Sequence, residues 1–410
     1  MFKSNREIKE KIEKQFLYCS SMFSNYFEPI SSSLIDFKSQ LNQNQVGFNV
    51  ECYHDDMFPD IDSADFAIII VPENRGSTVN IKPDSYDDFR KSFYALFKGG
   101  WNFRLLDFGN LKPGSNVNDT YFALNDVVSN LLSQSVFPLI LGGSHDLTYP
   151  IYQSYGSFTK GVNLLCIDSM FDLIDVDAKN INSRNFLGYI LKKEQNHLTN
   201  YINLAYQSYL CQNDESHLLE KMLFESCRLG NIRDNIKEAE PYVRNADIVT
   251  IDLNAIKQSD APAITHPSPN GLESHHICAL SRYAGISDRV SSFGVFELNY
   301  EKDINRQTVN LISQIFWYFL EGFSLRVSDY PSAKNIKDNY QKYLIPVKDS
   351  DLQFIFYKSK QTGRWWVSSS MEFDQETNYR EKIAPCSYED YLSTISGDIP
   401  KRIFKILKAR

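Results

Sequence analysis

Three short motifs in this chain have the residue types and spacing to hold a hard divalent cation. His145 follows two glycines in "LILGGSHDLT", Asp168 and Asp172 stand four residues apart in "LLCIDSMFD", and Asp252 closes "IVTIDL" with Asn254 two residues on. Carboxylates with one imidazole form a donor set that suits Mn²⁺. Each motif alone is ordinary. A histidine after Gly-Gly is usually a turn residue, and an aspartate at a strand end usually caps the helix that follows. Three in order, each closing an apolar run, define a candidate metal centre. Met170, between the two aspartates of the second motif, is the residue this chemistry does not explain.

The elements that must position these side chains are apolar runs: "DFAIIIVP" (65–72), "NFRLLDFG" (102–109), "FPLILGG" (137–143), "VNLLCID" (162–168), "YINLAY" (201–206), "DIVTIDL" (247–253) and "VSSFGVFEL" (290–298). Several are continuously apolar, the pattern of strands covered on both faces. Helical segments such as "TYFALNDVVSNLLSQ" (120–134) and "TVNLISQIFWYFLEGF" (308–323) lie between them. Strand and helix alternating predict a doubly wound α/β domain, with functional groups beyond the carboxyl ends of its strands. Residues 1–60, holding an amphipathic helix and a polar stretch, read as an amino-terminal extension, and residues 61–329 as the α/β domain. Residues 330–410 read as a carboxy-terminal extension with an aromatic hairpin, "LQFIFYKSKQTGRWWVSSSMEF", packed on that domain.

A net charge of −8 argues against a nucleic-acid surface, which needs a basic field. There is no 18-residue apolar stretch, so no membrane span is expected, and no secretory signal opens the chain. Seven single cysteines, none in a C-x-x-C pair, fit reduced thiols in the cytoplasm. Cys166, inside an apolar run, reads as core.

These motifs resemble those of the ureohydrolases: arginase, agmatinase and formiminoglutamase. The family's G-G-x-H, D-A-H-x-D and D-x-D read here as Gly142-Gly143-Ser144-His145, Asp168-Ser169-Met170-Phe171-Asp172 and Asp252-Leu253-Asn254. "APAITHPSPNGL" (261–272) follows the last, as a proline-rich run does in the family. The resemblance covers roughly residues 60–325, is nearest to formiminoglutamases, and implies a three-layer α/β/α sandwich with about eight mainly parallel strands. It implies two Mn²⁺ ions that activate water against a guanidino or formimino carbon–nitrogen bond. It also assigns Glu297, in "FGVFELN", to the substrate's cationic nitrogen.

Carried over by position, the first metal's ligands are His145, Asp168, Asp172 and Asp252, all intact. The second metal's private ligands fall on Met170 and Asn254, and both are lost. A thioether is a poor Mn²⁺ ligand and an amide carries no charge. Buried acids without counter-charge would raise one another's pKa, so one bound divalent cation is expected and the second site is expected to be empty. The loop that carries the family's general-acid histidine, residues 173–189 here, contains none.

His266 sits beside the expected pocket. His275 and His276 read as surface residues opening a helix, Asp146 and Asp260 as loop caps, and Trp365 and Trp366 as packing of the hairpin. The favoured functional reading is a ureohydrolase-fold protein with impaired catalysis that binds a small guanidino or formimino ligand or a protein partner. An active one-metal hydrolase of a linear amidine is the first alternative. A structural component acting through its terminal extensions is the second. Homo-oligomers are common in the family, and this chain is read as a candidate for one.

Overall fold

The computed structural model describes residues 23–82, 84, 86–158, 161–174, 179–194, 196–332, 334–346, 353–369, 383–400 and 402–403. The amino-terminal amphipathic segment and part of the 173–189 loop lie outside them.

The core is a ten-stranded sheet. In chain order its strands are β1 (Phe27–Glu28), β2 (Glu51–Cys52), β3 (Phe66–Val71), β4 (Leu105–Leu111), β5 (Phe137–Gly142), β6 (Val162–Ile167), β7 (Leu198–Tyr206), β8 (Glu225–Arg228), β9 (Ile248–Asp252) and β10 (Ser292–Phe296). They lie in the order β1-β4-β3-β5-β10-β9-β6-β7-β8, with β2 also on β4. Every pairing is parallel except that of β1 with β4. The sheet therefore exceeds the expected eight strands by two. β1 and β2, from the stretch read as an amino-terminal extension, are two-residue strands on opposite ends of β4's outer edge, pairing at Leu111 and Leu106.

Alternation along each strand feeds two cores. Ile68 and Ile70 of β3 join Leu139, Val249 and Val295 under the helices Asp87–Ala95, Ser274–Ile286 and Gln307–Phe323. Ala67, Ile69 and Val71 join Ile140 and Leu164 under Val117–Ser133 and Phe186–Lys192. Both faces are covered, which is why the strands read as unbroken apolar runs. The result is a three-layer α/β/α sandwich. Asn116 caps Val117–Ser133 in a reciprocal capping box with Asp119. Among the described residues no helix is long and apolar enough to cross a membrane.

Residues beyond 339 form a second, antiparallel sheet of four strands, β11 (Tyr340–Pro346), β12 (Gln353–Ser359), β13 (Trp365–Ser368) and β14 (Ile383–Cys386). β12 and β13 are the hairpin around Gln361–Gly363, with Tyr357 opposite Trp366. Gly363 adopts a φ of +73°, which only glycine takes freely. Arg244, from the main domain, clamps this unit. Its guanidinium donates to Trp365 O (3.0 Å) and Cys386 O (3.2 Å) and lies 4.4 Å over the Trp366 ring. Arg244→Ala would remove both of these hydrogen bonds and the contact with the Trp366 ring, so a loss of about 2–4 kcal/mol is expected. Denaturant unfolding followed by tryptophan fluorescence measures it, and an unchanged midpoint contradicts the clamp.

Candidate metal centre

Four strands that are neighbours in the sheet, β5, β10, β9 and β6, lead into His145, Glu297, Asp252 and Asp168, and Asp172 follows four residues after Asp168. After β5 the chain must turn sharply beneath the loop that follows β3. A Cβ on Gly143 would lie 2.0 Å from Glu73 O, so only glycine fits. His145 follows in a single 3₁₀ turn. Asp168 and Asp252 stand just beyond β6 and at the end of β9. Each has one oxygen tied to the backbone two residues on: Asp168 Oδ1 accepts from Met170 N (3.0 Å), and Asp252 Oδ1 from Asn254 N (2.6 Å). These Asx turns leave the second oxygen of each aimed into the cluster.

The structure brings His145, Asp168, Asp172 and Asp252 together. His145 Nδ1 lies 3.4 Å from Asp168 Oδ2, 3.3 Å from Asp172 Oδ2 and 3.8 Å from Asp252 Oδ2. The candidate ligand atoms of His145, Asp168 and Asp252 fall within 4.8 Å of one another. All four residues are buried, and Phe186 and Phe296 wall the imidazole. Nδ1, Asp168 Oδ2 and Asp172 Oδ1 are buried without a hydrogen-bond partner. Unpaired polar atoms of this kind are rare in a folded interior, and a divalent cation fits Nδ1 and Asp168 Oδ2, which lie 3.4 Å apart.

Hydrogen bonds behind the cluster settle which imidazole nitrogen is free. Thr250 Oγ1 donates its one proton to Cys166 Sγ (3.2 Å) and accepts from His145 Nε2 (3.1 Å). With Nε2 protonated, the Nδ1 lone pair faces the three carboxylates, the arrangement a metal ligand requires. Without a cation a proton takes that place. Burial pulls the His145 pKa down, but Asp168 and Asp172 outweigh it and hold the imidazole well above its ordinary value. Burial, then Asp168, hold Asp172 and Asp252 well above the carboxylate range. Thr250→Val should weaken Mn²⁺ binding about 10–100-fold by freeing the imidazole to switch tautomer and swing, while Thr250→Ser keeps it. Calorimetric titration distinguishes the two.

Glu297 lies opposite. It is 1% exposed and takes a φ of +71°, backbone strain of the sort that marks functional sites. Its Oε1 accepts from His145 N (2.9 Å) and its Oε2 from Thr265 Oγ1 (2.7 Å). Each oxygen keeps a lone pair for an incoming cationic nitrogen. Burial, partly offset by these bonds, raises its pKa.

Asn254 is not directed to a metal. Its Oδ1 accepts from the His266 backbone N–H (2.7 Å), which fixes the orientation of the amide, and its Nδ2 lies 2.7 Å from Thr265 Oγ1. His266 is engaged at both ring nitrogens, with Thr265 Oγ1 (3.1 Å) and Thr78 Oγ1 (3.2 Å). It does not join the cluster. Met170 is buried, yet among the described residues it belongs to none of the apolar clusters.

Several sequence expectations need correction. Asp146 is no loop cap. It is wholly buried, accepts from Tyr121 Oη, and burial pushes its pKa to about 6. His276 is buried rather than on the surface, because its Nδ1 accepts from Glu273 N at the helix start. Cys166 does more than fill the core, since it anchors Thr250. Asp260 caps as expected, accepting from Ser274 N (2.7 Å). A second cluster, Glu273, His275 and His276, has ligand-like spacing. Lys257 (3.1 Å) and Arg233 (3.9 Å) already neutralise its one carboxylate.

A doubly wound sheet with a buried, carboxylate-rich cation site at the carboxyl ends of adjacent central strands defines a metal-binding α/β hydrolase-like protein. The arginase family model matches residues 88–321, more than half the chain, and the chain belongs to the arginase family. It is similar to the formimidoylglutamase of Geobacillus sp. (strain WCH70), 26% identical over 219 residues that make up 50% of this chain and 66% of that protein, just under two thirds. The formimidoylglutamase of Staphylococcus aureus (strain JH9) is 26% identical over 227 residues, 53% of this chain and 72% of that one. Among solved structures, Trypanosoma cruzi formiminoglutamase with Mn²⁺ superposes with a TM-score of 0.57 at 19% identity, over 64% of this chain and 95% of that one. Bacillus subtilis formimidoylglutamase gives 0.58 at 19%, over 72% and 99%. At these identities the structural likeness establishes the fold.

Proposed function

We propose that this protein holds one divalent cation, Mn²⁺ by preference, on His145, Asp168, Asp172 and Asp252. In this reading it binds a small guanidino or formimino ligand, or a protein partner, with hydrolysis lost or nearly lost. When bound, the cation would acidify water and polarise the ligand. His145 keeps Nδ1 free through Thr250, Glu297 receives the cationic nitrogen, and Phe186 and Phe296 exclude solvent behind the imidazole.

The observation that carries this reading is the Asn254 amide, committed to His266 N and Thr265 rather than to a second ion. With Met170 at the other private position, a second cation lacks its ligands, and with no histidine in residues 173–189 that loop offers no imidazole to protonate a leaving group. The relatives named formimidoylglutamase support the ligand class. Elemental analysis after Mn²⁺ loading and buffer exchange tests the proposal: one ion per chain and near-background turnover of formiminoglutamate, agmatine and arginine are expected. Two fully occupied ions, or rapid turnover of any of the three, would overturn it.

A further inference from the structure

The loop after the second aspartate motif brings a fixed cation to a ligand of the site. Arg184 Nε lies 3.7 Å from Asp172 Oδ1, and its side chain is only 23% exposed. Both atoms are buried and neither has a hydrogen-bond partner. The backbone holds the arginine there. Arg184 N donates to Asn182 Oδ1 (2.9 Å), Ile174 N donates to Arg184 O (3.1 Å), and Ser183 N donates to Gly76 O (2.9 Å). Asp172 itself takes a φ of +55°. This strained turn points Oδ2 at His145 and Oδ1 at the arginine. The guanidinium also acts on His266: after burial, Arg184 and then Lys302 lower the His266 pKa. Lys302 is committed elsewhere, donating to Ile264 O and Thr265 O.

Charge balance gives this placement a meaning. With His145 neutral, the three clustered carboxylates exceed one divalent cation by one negative charge before the buried Glu297 is counted, and excess charge in a buried site is expensive unless paired. A second metal would remove it, but the ligands for one are missing. We propose that Arg184 supplies the balancing charge, so that the site is built for one divalent cation and one permanent guanidinium. The inference rests on the one-cation reading above. Arginine suits the task because it stays protonated at any working pH. Asp172 is then shared, one oxygen to the cation and one to the guanidinium, and a second divalent ion is opposed by charge as well as by the lack of ligands.

The sign of the effect separates this role from a merely structural one. Chelator-treated full-length protein is titrated with Mn²⁺ by calorimetry, as wild type, Arg184→Gln and Arg184→Lys. Loss of the charge should tighten Mn²⁺ binding on the order of tenfold, the effect of one unit charge several ångströms away in partly screened surroundings. The lysine variant, which keeps the charge, should stay near wild type. Arg184→Met, which keeps the aliphatic stem, gives the same reading should the glutamine variant fail to fold. A neutral variant that binds Mn²⁺ equally or more weakly overturns the proposal, as does a lysine variant that tightens as much as the neutral one. Wild-type protein that takes up no Mn²⁺ overturns the one-cation reading itself.

Discussion

Asp168→Asn is expected to abolish tight Mn²⁺ uptake while leaving the protein folded. Asp168 Oδ2 is the unpaired oxygen 3.4 Å from His145 Nδ1, and Oδ1 is the one that accepts from Met170 N. An amide keeps the turn through its oxygen and turns its NH₂ toward the cluster, replacing a ligand by a donor. The loss should exceed the 10–100-fold of changes behind the ligands, reaching about a thousandfold or more. Saturating cation at about a thousand times Kd stabilises wild type by roughly 4 kcal/mol, and this increment should vanish in the variant.

Metal removal also sets a pH dependence. Asp172 and Asp252 are held above the ordinary carboxylate value by burial and by Asp168. The stability they contribute to chelated wild type is fully present below the unfolded pKa of about 3.9 and is lost as pH rises through their raised folded values. Chelated wild type should therefore weaken from acidic toward neutral pH, and Mn²⁺ should restore it most at neutral pH. A variant that still takes up one tight ion, or a chelated wild type whose stability rises steadily over that range, contradicts this account of the site.

The clustered residues were legible in the sequence because His145, Asp168 and Asp252 stand at or just beyond the ends of apolar runs, with Asp172 four residues after Asp168. That junction survives any error in helix or strand boundaries. The residues behind them were missed although a signal existed. Cys166 and Thr250 stand two positions before Asp168 and Asp252, so strand alternation sends them to the same side as the ligands, where Thr250 reaches His145 Nε2. β1 and β2 are two residues long and carry no period. β8, "ESCR", is an edge strand with largely solvated side chains and so lacks the apolar mark of its neighbours. Arg184 carries no motif in the sequence, and only the fold brings it to Asp172. The terminal hairpin was legible from its aromatic runs and Gly363. The two strands flanking it, and the Arg244 clamp, depend on contacts distant in sequence.

Restoring both private positions, Met170→His with Asn254→Asp, is expected to raise Mn²⁺ stoichiometry from one toward two, and each single change should do less. The imidazole supplies a ligand that a thioether cannot, and the new carboxylate supplies charge that an amide lacks. The hydrogen bonds around Asn254 set the conditions. Its Oδ1 now accepts from His266 N, and Thr265 Oγ1 donates to Glu297 Oε2 while lying 2.7 Å from Asn254 Nδ2. A carboxylate keeps the first bond and loses the amide's donor. It then competes with Glu297 for the single Thr265 proton, beside acids already held above their ordinary pKa by burial and by one another. The metal-free double variant should consequently be less stable than wild type by about 1–3 kcal/mol, the cost of a buried group left unsatisfied. Mn²⁺ should recover that loss, so the metal-induced rise in melting temperature becomes larger than in wild type. Arg184 opposes the second ion, and occupancy should approach two only at high Mn²⁺ unless Arg184 is also neutralised. Turnover of formiminoglutamate, agmatine or arginine should stay near background even then, since residues 173–189 still hold no histidine to protonate a leaving amine. A double variant that keeps one ion, or is as stable as wild type without metal, would show that Met170 and Asn254 are not what limits this site to a single cation.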